Sequence, residues 1–148
     1  MEIVVTLLEM LKPSKPEHDG VNSTVRPPTD LPSPTSPKVA LVRVSGEIDL
    51  HSGPDLRAAL QRIADDGHCY IVVDMTRVPY VDSFALGVMV DTQRRLKERG
   101  GDLYLTHITP FVRRAFEITR LVRIFNVVAT VEEAMQLASE ATQDKSQG

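Results

Sequence analysis

Asp82-Ser83 is the pair in this sequence with the most chemistry to offer: a hydroxyl beside a carboxylate, where a strand pattern gives way to a helical one. Tyr70-Ile71-Val72-Val73 is a continuous apolar run closed by Asp74, the composition of a strand covered on both faces. Leu86, Met89, Val90, Gln93 and Leu96 recur at helical spacing until Gly100-Gly101 ends the pattern, so a helix is predicted to start near Ser83. A serine there can cap the helix by accepting a backbone N–H of the first turn, worth about 1 kcal/mol. It can also carry a phosphate that meets the unpaired N–H groups and the positive end of the helix dipole. Asp82 biases that second role. A phosphoserine beside it would gather about three negative charges in one turn, suited to breaking contact with an acidic or apolar partner surface and ill suited to holding a free phosphate.

Other chemistry finds little support. A catalytic Ser83 would need a base and an oxyanion hole, yet the surroundings are not G-x-S-x-G and His51, His68 and His107 form no recognisable triad. These histidines are expected in loops or at strand ends. One cysteine and scattered histidines lack metal-ligand spacing, and neither a P-loop nor a G-x-G-x-x-G occurs. No catalytic, metal or cofactor site is therefore expected. Arg94, Arg95, Lys97 and Arg99 read as a solvated face near a helix end, where cations oppose the dipole. Cys69 cannot form an internal disulfide and, in a predicted buried strand, reads as an inert core thiol.

The elements that must position the pair follow in order. The chain has 148 residues, 42% apolar and 25% charged, enough for one domain with a core plus an appendage. A net charge of −3 argues against a general nucleic-acid or anionic-membrane binder. No apolar run reaches the roughly 20 residues that span a bilayer, and the acidic N-terminus does not resemble a signal peptide, so a cytoplasmic protein is expected. Residues 1–37 read as an extension. Its cluster Ile3-Val4-Val5-Thr6-Leu7-Leu8 fits either an outer strand or a docking helix, and residues 12–37 hold seven of the ten prolines, the composition of a largely disordered linker. The compact domain is expected over 38–141, before a polar tail at 142–148. Val39 to Val44 is a strand. Leu56, Ala59, Leu60 and Ile63 make the stripe of a first helix entered at Ser52-Gly53-Pro54 and stopped by Gly67. Asp102 to Thr106 is a strand, Thr109-Pro110 opens a helix with Val112, Ala115, Phe116 and Thr119 on one face, and Ile124 to Val128 is a short strand. Thr130 and Glu133 form a capping box for a last helix with Ala134, Leu137 and Ala138 inward. Strands alternating with helices mean an α/β fold with a mixed, mostly parallel sheet and about four helices. Its consecutive βα turns share the carboxyl edge, which brings Asp49 and Asp82 near Ser83.

With that order in place, residues 38 to about 141 resemble the STAS domain of anti-sigma factor antagonists and of the cytoplasmic tails of sulphate transporters. Val42-Arg43-Val44-Ser45-Gly46-Glu47-Ile48-Asp49 is similar to the family's first signature. Val72-Val73-Asp74-Met75-Thr76, continued by Val81-Asp82-Ser83 and Leu86-Gly87-Val88, is similar to the second. The resemblance implies a non-enzymatic switch protein. An anti-sigma factor with a histidine-kinase-like ATPase fold would phosphorylate Ser83 and lose its hold, a phosphoserine phosphatase would restore binding, and ATP would belong to the partner. Asp49, Asp82, Ser83, Phe84 and Gly87 are the implied partner-binding residues. Phe84 and Ala85 depart from the family's Ser or Thr followed by Gly, which bears on the choice of partner. Two rivals stand beside this reading: a STAS scaffold in a signalling or transport assembly outside any sigma pathway, and a binder of small anions at the Ser83 helix start.

Overall fold

The computed structural model describes residues 1–9 and 38–147. The stretch expected as a Pro-rich linker lies outside them. Five strands, β1 (Glu2–Glu9), β2 (Lys38–Ser45), β3 (Tyr70–Arg77), β4 (Asp102–Thr106) and β5 (Asn126–Val128), form one sheet in sequential order. β2 to β5 run parallel and β1 pairs antiparallel with β2, so the N-terminal cluster takes the strand alternative. Among the described residues the four α-helices are α1 (Gly53–Asp65), α2 (Ser83–Glu98), α3 (Pro110–Ile118) and α4 (Val131–Gln147).

Period-two alternation sorts the strand side chains into two cores. Ala40, Val42, Val44, Ile71, Val73, Met75, Leu103 and Leu105 face one side, under Leu56, Leu60, Ala85, Met89, Val112 and Phe116. Val39, Leu41, Tyr70, Val72 and Tyr104 face the other, under Ala134, Met135 and Ala138 of α4. Val39 to Val42 of β2 and Tyr70 to Val73 of β3 are buried on both faces, and their unbroken apolar composition follows from that.

Several boundaries move, each for a visible reason. β3 continues past Asp74 to Arg77, because its pairing with β2 resumes across a register shift, with Ser45 opposite Arg77. β5 begins at Asn126 rather than Ile124. α3 ends in a left-handed Arg120 (φ 65°), and a 3-10 turn over Leu121–Arg123 accepts the Ile124 and Phe125 N–H groups on the Leu121 carbonyl. Phe125 is thereby turned inward onto Phe116, with ring centroids 5.3 Å apart. In α4 the buried strip runs through Ala134, Met135 and Ala138. Leu137 falls at the rim and is exposed, and the helix continues through Gln147 into the segment expected as a tail. The capping box is half formed. Thr130 Oγ1 accepts the Glu133 N–H at 3.0 Å, but Glu133 takes the N–H of Ala129 instead of Thr130.

Cys69 precedes β3 and is half-buried, with Sγ 3.8 Å from the Gly67 carbonyl, so the expected core thiol is a turn residue. Its carbonyl matters more. It accepts the Asp102 N–H at 3.1 Å, and a Cβ on Gly101 would overlap that same oxygen. Gly101→Ala should therefore force the start of β4 away from β3 and lower stability by about 1–3 kcal/mol. Urea unfolding with an unchanged m-value is the measurement.

Candidate functional site

Two βα turns meet at the carboxyl edge of the sheet. After β2, Gly46 turns with φ +103°, a conformation that L side chains rarely adopt, and the chain reaches the buried Ile48. Ile48 donates its N–H to the Tyr80 carbonyl at 3.0 Å and accepts the Asp82 N–H at 3.1 Å, forming an isolated parallel bridge with Val81. Asp49 and Asp82, the next residues along each chain, are thus held side by side by backbone.

Asp49 spends its carboxylate locally. Oδ1 accepts the N–H groups of His51 at 2.9 Å and Ser52 at 3.0 Å, while Ser52 Oγ accepts the Asp49 N–H at 3.0 Å and donates to the Glu47 carbonyl at 2.9 Å. The Ser52 amide is the main reason that the Asp49 carboxyl sits below the usual carboxylate range, with the His51 amide adding to it against a smaller cost of burial. This closed turn delivers the chain into α1, with Gly53 N–H on the Asp49 carbonyl at 2.6 Å.

The second turn corrects the capping expectation. Asp82, with extended φ and ψ, is the N-cap of α2, its carboxylate accepting the Ala85 N–H at 3.0 Å. Ser83 is the first helical residue and not the cap. The reason is geometric: the bridge from Ile48 fixes Asp82 in the extended conformation that a cap requires, one residue earlier than the apolar pattern suggests. The Ser83 side chain is exposed and makes no hydrogen bond to any described residue.

Phe84 points differently from its neighbour. Its ring is half-buried against Gly53, where a Cβ would stand 2.5 Å from Cδ1, and the Arg57 guanidinium carbon lies 5.1 Å over the ring centroid. The ring therefore clamps the starts of α1 and α2 together. Gly87 is exposed, with open space where its Cβ would be, so the surface beyond Ser83 is low and unobstructed. Around this turn stand apolar residues that the sequence reading passed over. Leu50 is 61% exposed in the first turn, and Tyr80 meets Phe111 in a tilted contact with ring centroids 5.5 Å apart, the latter 56% exposed at the start of α3. An aliphatic residue between Asp49 and His51, and an aromatic between Pro79 and Val81, were the available signals, since turns usually carry polar residues there.

The remaining candidates are dispersed. His51, His68 and His107 lie in three separate turns, and no group of metal-ligating side chains forms among the described residues. Arg99 ties α2 to α1 through the Ala64 carbonyl at 2.6 Å and Asp65 at 3.3 Å, and Lys97 pairs with Asp102 at 3.3 Å, so the basic run is in part structural. On the sheet face that carries α4, burial opposes the charge of Asp74. The hydroxyl and amide of Thr76, with His107 and Arg43, outweigh it and hold the carboxyl below its ordinary value. No described helix is long and apolar enough to cross a membrane.

Fold and turn together define an α/β domain whose exposed serine opens a helix at the sheet's carboxyl edge. The family model for the STAS domain matches residues 30–134, and the chain belongs to that family. An anti-sigma-B factor antagonist of Bacillus subtilis is 37% identical over 95 residues, covering 64% of this chain and 86% of that protein. The anti-sigma factor antagonist SpoIIAA in its unphosphorylated form superposes with a TM-score of 0.61 at 25% identity, over 69% of this chain and 89% of that one. SpoIIAA in its phosphorylated form, described as a Bacillus cell fate determinant, gives a TM-score of 0.53 at 25% identity, over 66% and 88%.

Asp82→Ala should cost about 1 kcal/mol as a lost cap, whereas Ser83→Ala should stay within about 0.5 kcal/mol of the parent in the same denaturation assay. Gly53→Ala should destabilise by about 1–3 kcal/mol through its clash with Phe84, and a Phe84→Ala background should absorb most of that cost. A double-mutant cycle of unfolding free energies measures the coupling.

Proposed function

We propose that this chain is an anti-sigma factor antagonist: a binding protein, not an enzyme, that is switched by phosphorylation of Ser83. In the unmodified state the turn of Asp49, Asp82, Ser83, Phe84 and Gly87 docks on an anti-sigma factor with a histidine-kinase-like ATPase fold and holds it away from its sigma factor. The partner then transfers the γ-phosphoryl group of its ATP to Ser83 Oγ. The bond from phosphorus to the bridging oxygen breaks, ADP leaves, and the hydroxyl proton passes to a base on the partner. A phosphoserine phosphatase reverses the change by hydrolysis.

The observation that carries the reading is the division of labour in one turn. Asp82 caps α2, so the Ser83 hydroxyl is exposed and, among the described residues, unbonded, available to a partner's active site without unfolding the helix. Relatives named as anti-sigma factor antagonists, one of them solved in both unphosphorylated and phosphorylated forms, support the same role. Release then follows from electrostatics. Phosphorylation adds close to two negative charges beside Asp82 and Asp49, where any interface must desolvate them, and a loss of about 3 kcal/mol weakens affinity roughly hundredfold.

The test is a pull-down from the native host's lysate with Ser83→Ala and Ser83→Asp baits. An ATPase-fold protein retained by the first and lost from the second is expected, and the captured protein should phosphorylate the parent chain from ATP and leave Ser83→Ala unlabelled. Identical partners on both baits, with no ATPase among them, would return Ser83 to a purely local role.

A further inference from the structure

The outer edge of β1 is a surface that the proposed switch leaves unused. Among the described residues β1 is the end strand of the sheet, and its register with β2 is unbroken from Glu2 opposite Ser45 to Glu9 opposite Lys38. Nothing in its middle blunts the edge. Ile3 to Leu8 contain no charge, proline or bulge, the usual devices that keep an edge strand from pairing. Ile3 packs on the α1/α2 core, but Val5 and Leu7, on the same face, are 42% and 61% exposed.

We propose that this edge pairs antiparallel with β1 of a second copy, joining two sheets into one of ten strands across a two-fold axis. Symmetry narrows the register. Residues directly opposite in an antiparallel pair point to the same face, and an axis perpendicular to the sheet keeps that face common to both copies. An odd-numbered residue must then face an odd-numbered one. Glu2 against the second copy's Glu9 is excluded by that rule, so the two acidic ends never oppose each other. Axes through Val5 and through Thr6 give equal overlaps, but the one through Thr6 would set Ile3 against the second copy's Glu9, whereas the one through Val5 sets Val5 on its symmetry mate and Ile3 on the second copy's Leu7. The exposed apolar residues of the α1/α2 face are thereby matched with each other.

The chain's own segment 10–37 is a poorer occupant. Seven of its residues are proline, which lacks the N–H that a ladder needs, and Asp, Gly and Asn interrupt its longest proline-free run. Pairing between copies leaves the βα turns clear, because the contact runs along β1 and not across its ends. The two carboxyl edges point in opposite directions, so the dimer carries one Ser83 turn at each end.

The test is sedimentation velocity of the full chain over a rising concentration series, with the parent, Val5→Lys and Val5→Glu. A reversible monomer–dimer equilibrium is expected for the parent, weakened about tenfold or more in each variant by like charges meeting on the axis. An equimolar mixture of the two variants should restore the dimer. Val5→Cys in a Cys69→Ser background should oxidise to a covalent dimer, whereas Val4→Cys, whose mate lies two positions away, should not. Matching thermal melts establish that the variants are folded. A parent that stays monomeric, variants that associate as the parent does, or a mixture that fails to restore the dimer would overturn the proposal. Edge coverage by residues 10–37 or by another protein would appear as the first of these outcomes.

Discussion

The bridge between Ile48 and Val81 is the constraint on which the rest of the site depends. Two backbone hydrogen bonds at 3.0 and 3.1 Å hold the turn after β2 against the turn after β3, and both bridging side chains are buried. Without it Asp82 has no fixed conformation from which to cap α2, and Gly53 has no reason to approach Phe84. The bridge is made of main chain, so it is indifferent to what the neighbouring side chains do. That independence leaves exposed side chains such as Leu50 and Ser83 without a share in holding the two turns together.

The packing of α1 against α2 extends the same logic. At the N-terminal end Phe84 fills the space that a Gly53 side chain would occupy and lies under Arg57. At the C-terminal end Arg99 reaches the Ala64 carbonyl. The two helices are thus fixed to each other at both extremities, with Leu56, Leu60, Val88 and Met89 buried in the core beneath. Ser83 therefore sits on a rigid platform. A partner meeting it orders little of this chain, which keeps the entropic cost of association low.

Much of this was legible in the residues. Continuous β-branched runs at β2 and β3, helical spacing through α1 and α2, and the two family signatures specify an α/β domain and bring Asp49 and Asp82 to one edge. What escaped the sequence was phase and context. The apolar pattern of α2 locates its start to within a residue, and only the Ile48 bridge decides that Asp82 and not Ser83 is the cap. Leu137 and Met135 are both plausible inward residues by composition, and the strip opposite Tyr70 and Tyr104 selects Met135. Cys69 borders an apolar run, yet a turn at Gly67 places it outside the strand. Tyr80 and Phe111 are far apart in sequence, so their ring contact depends on the order of the turns.

β1 runs against the other four strands, and this gives the domain a polarity of attachment. Its first residue comes to rest beside Gly46, where a Cβ would stand 3.1 Å from the Met1 Cα. α4 leaves the same carboxyl edge after β5 and runs back along the sheet for about 25 Å, so its last residues lie toward the opposite edge. A polypeptide joined ahead of Met1 would emerge among the βα turns and crowd them. One joined behind Gln147 would hang from the far side and leave them open, so the two termini are unequal handles for tethering this domain to a surface or to another protein.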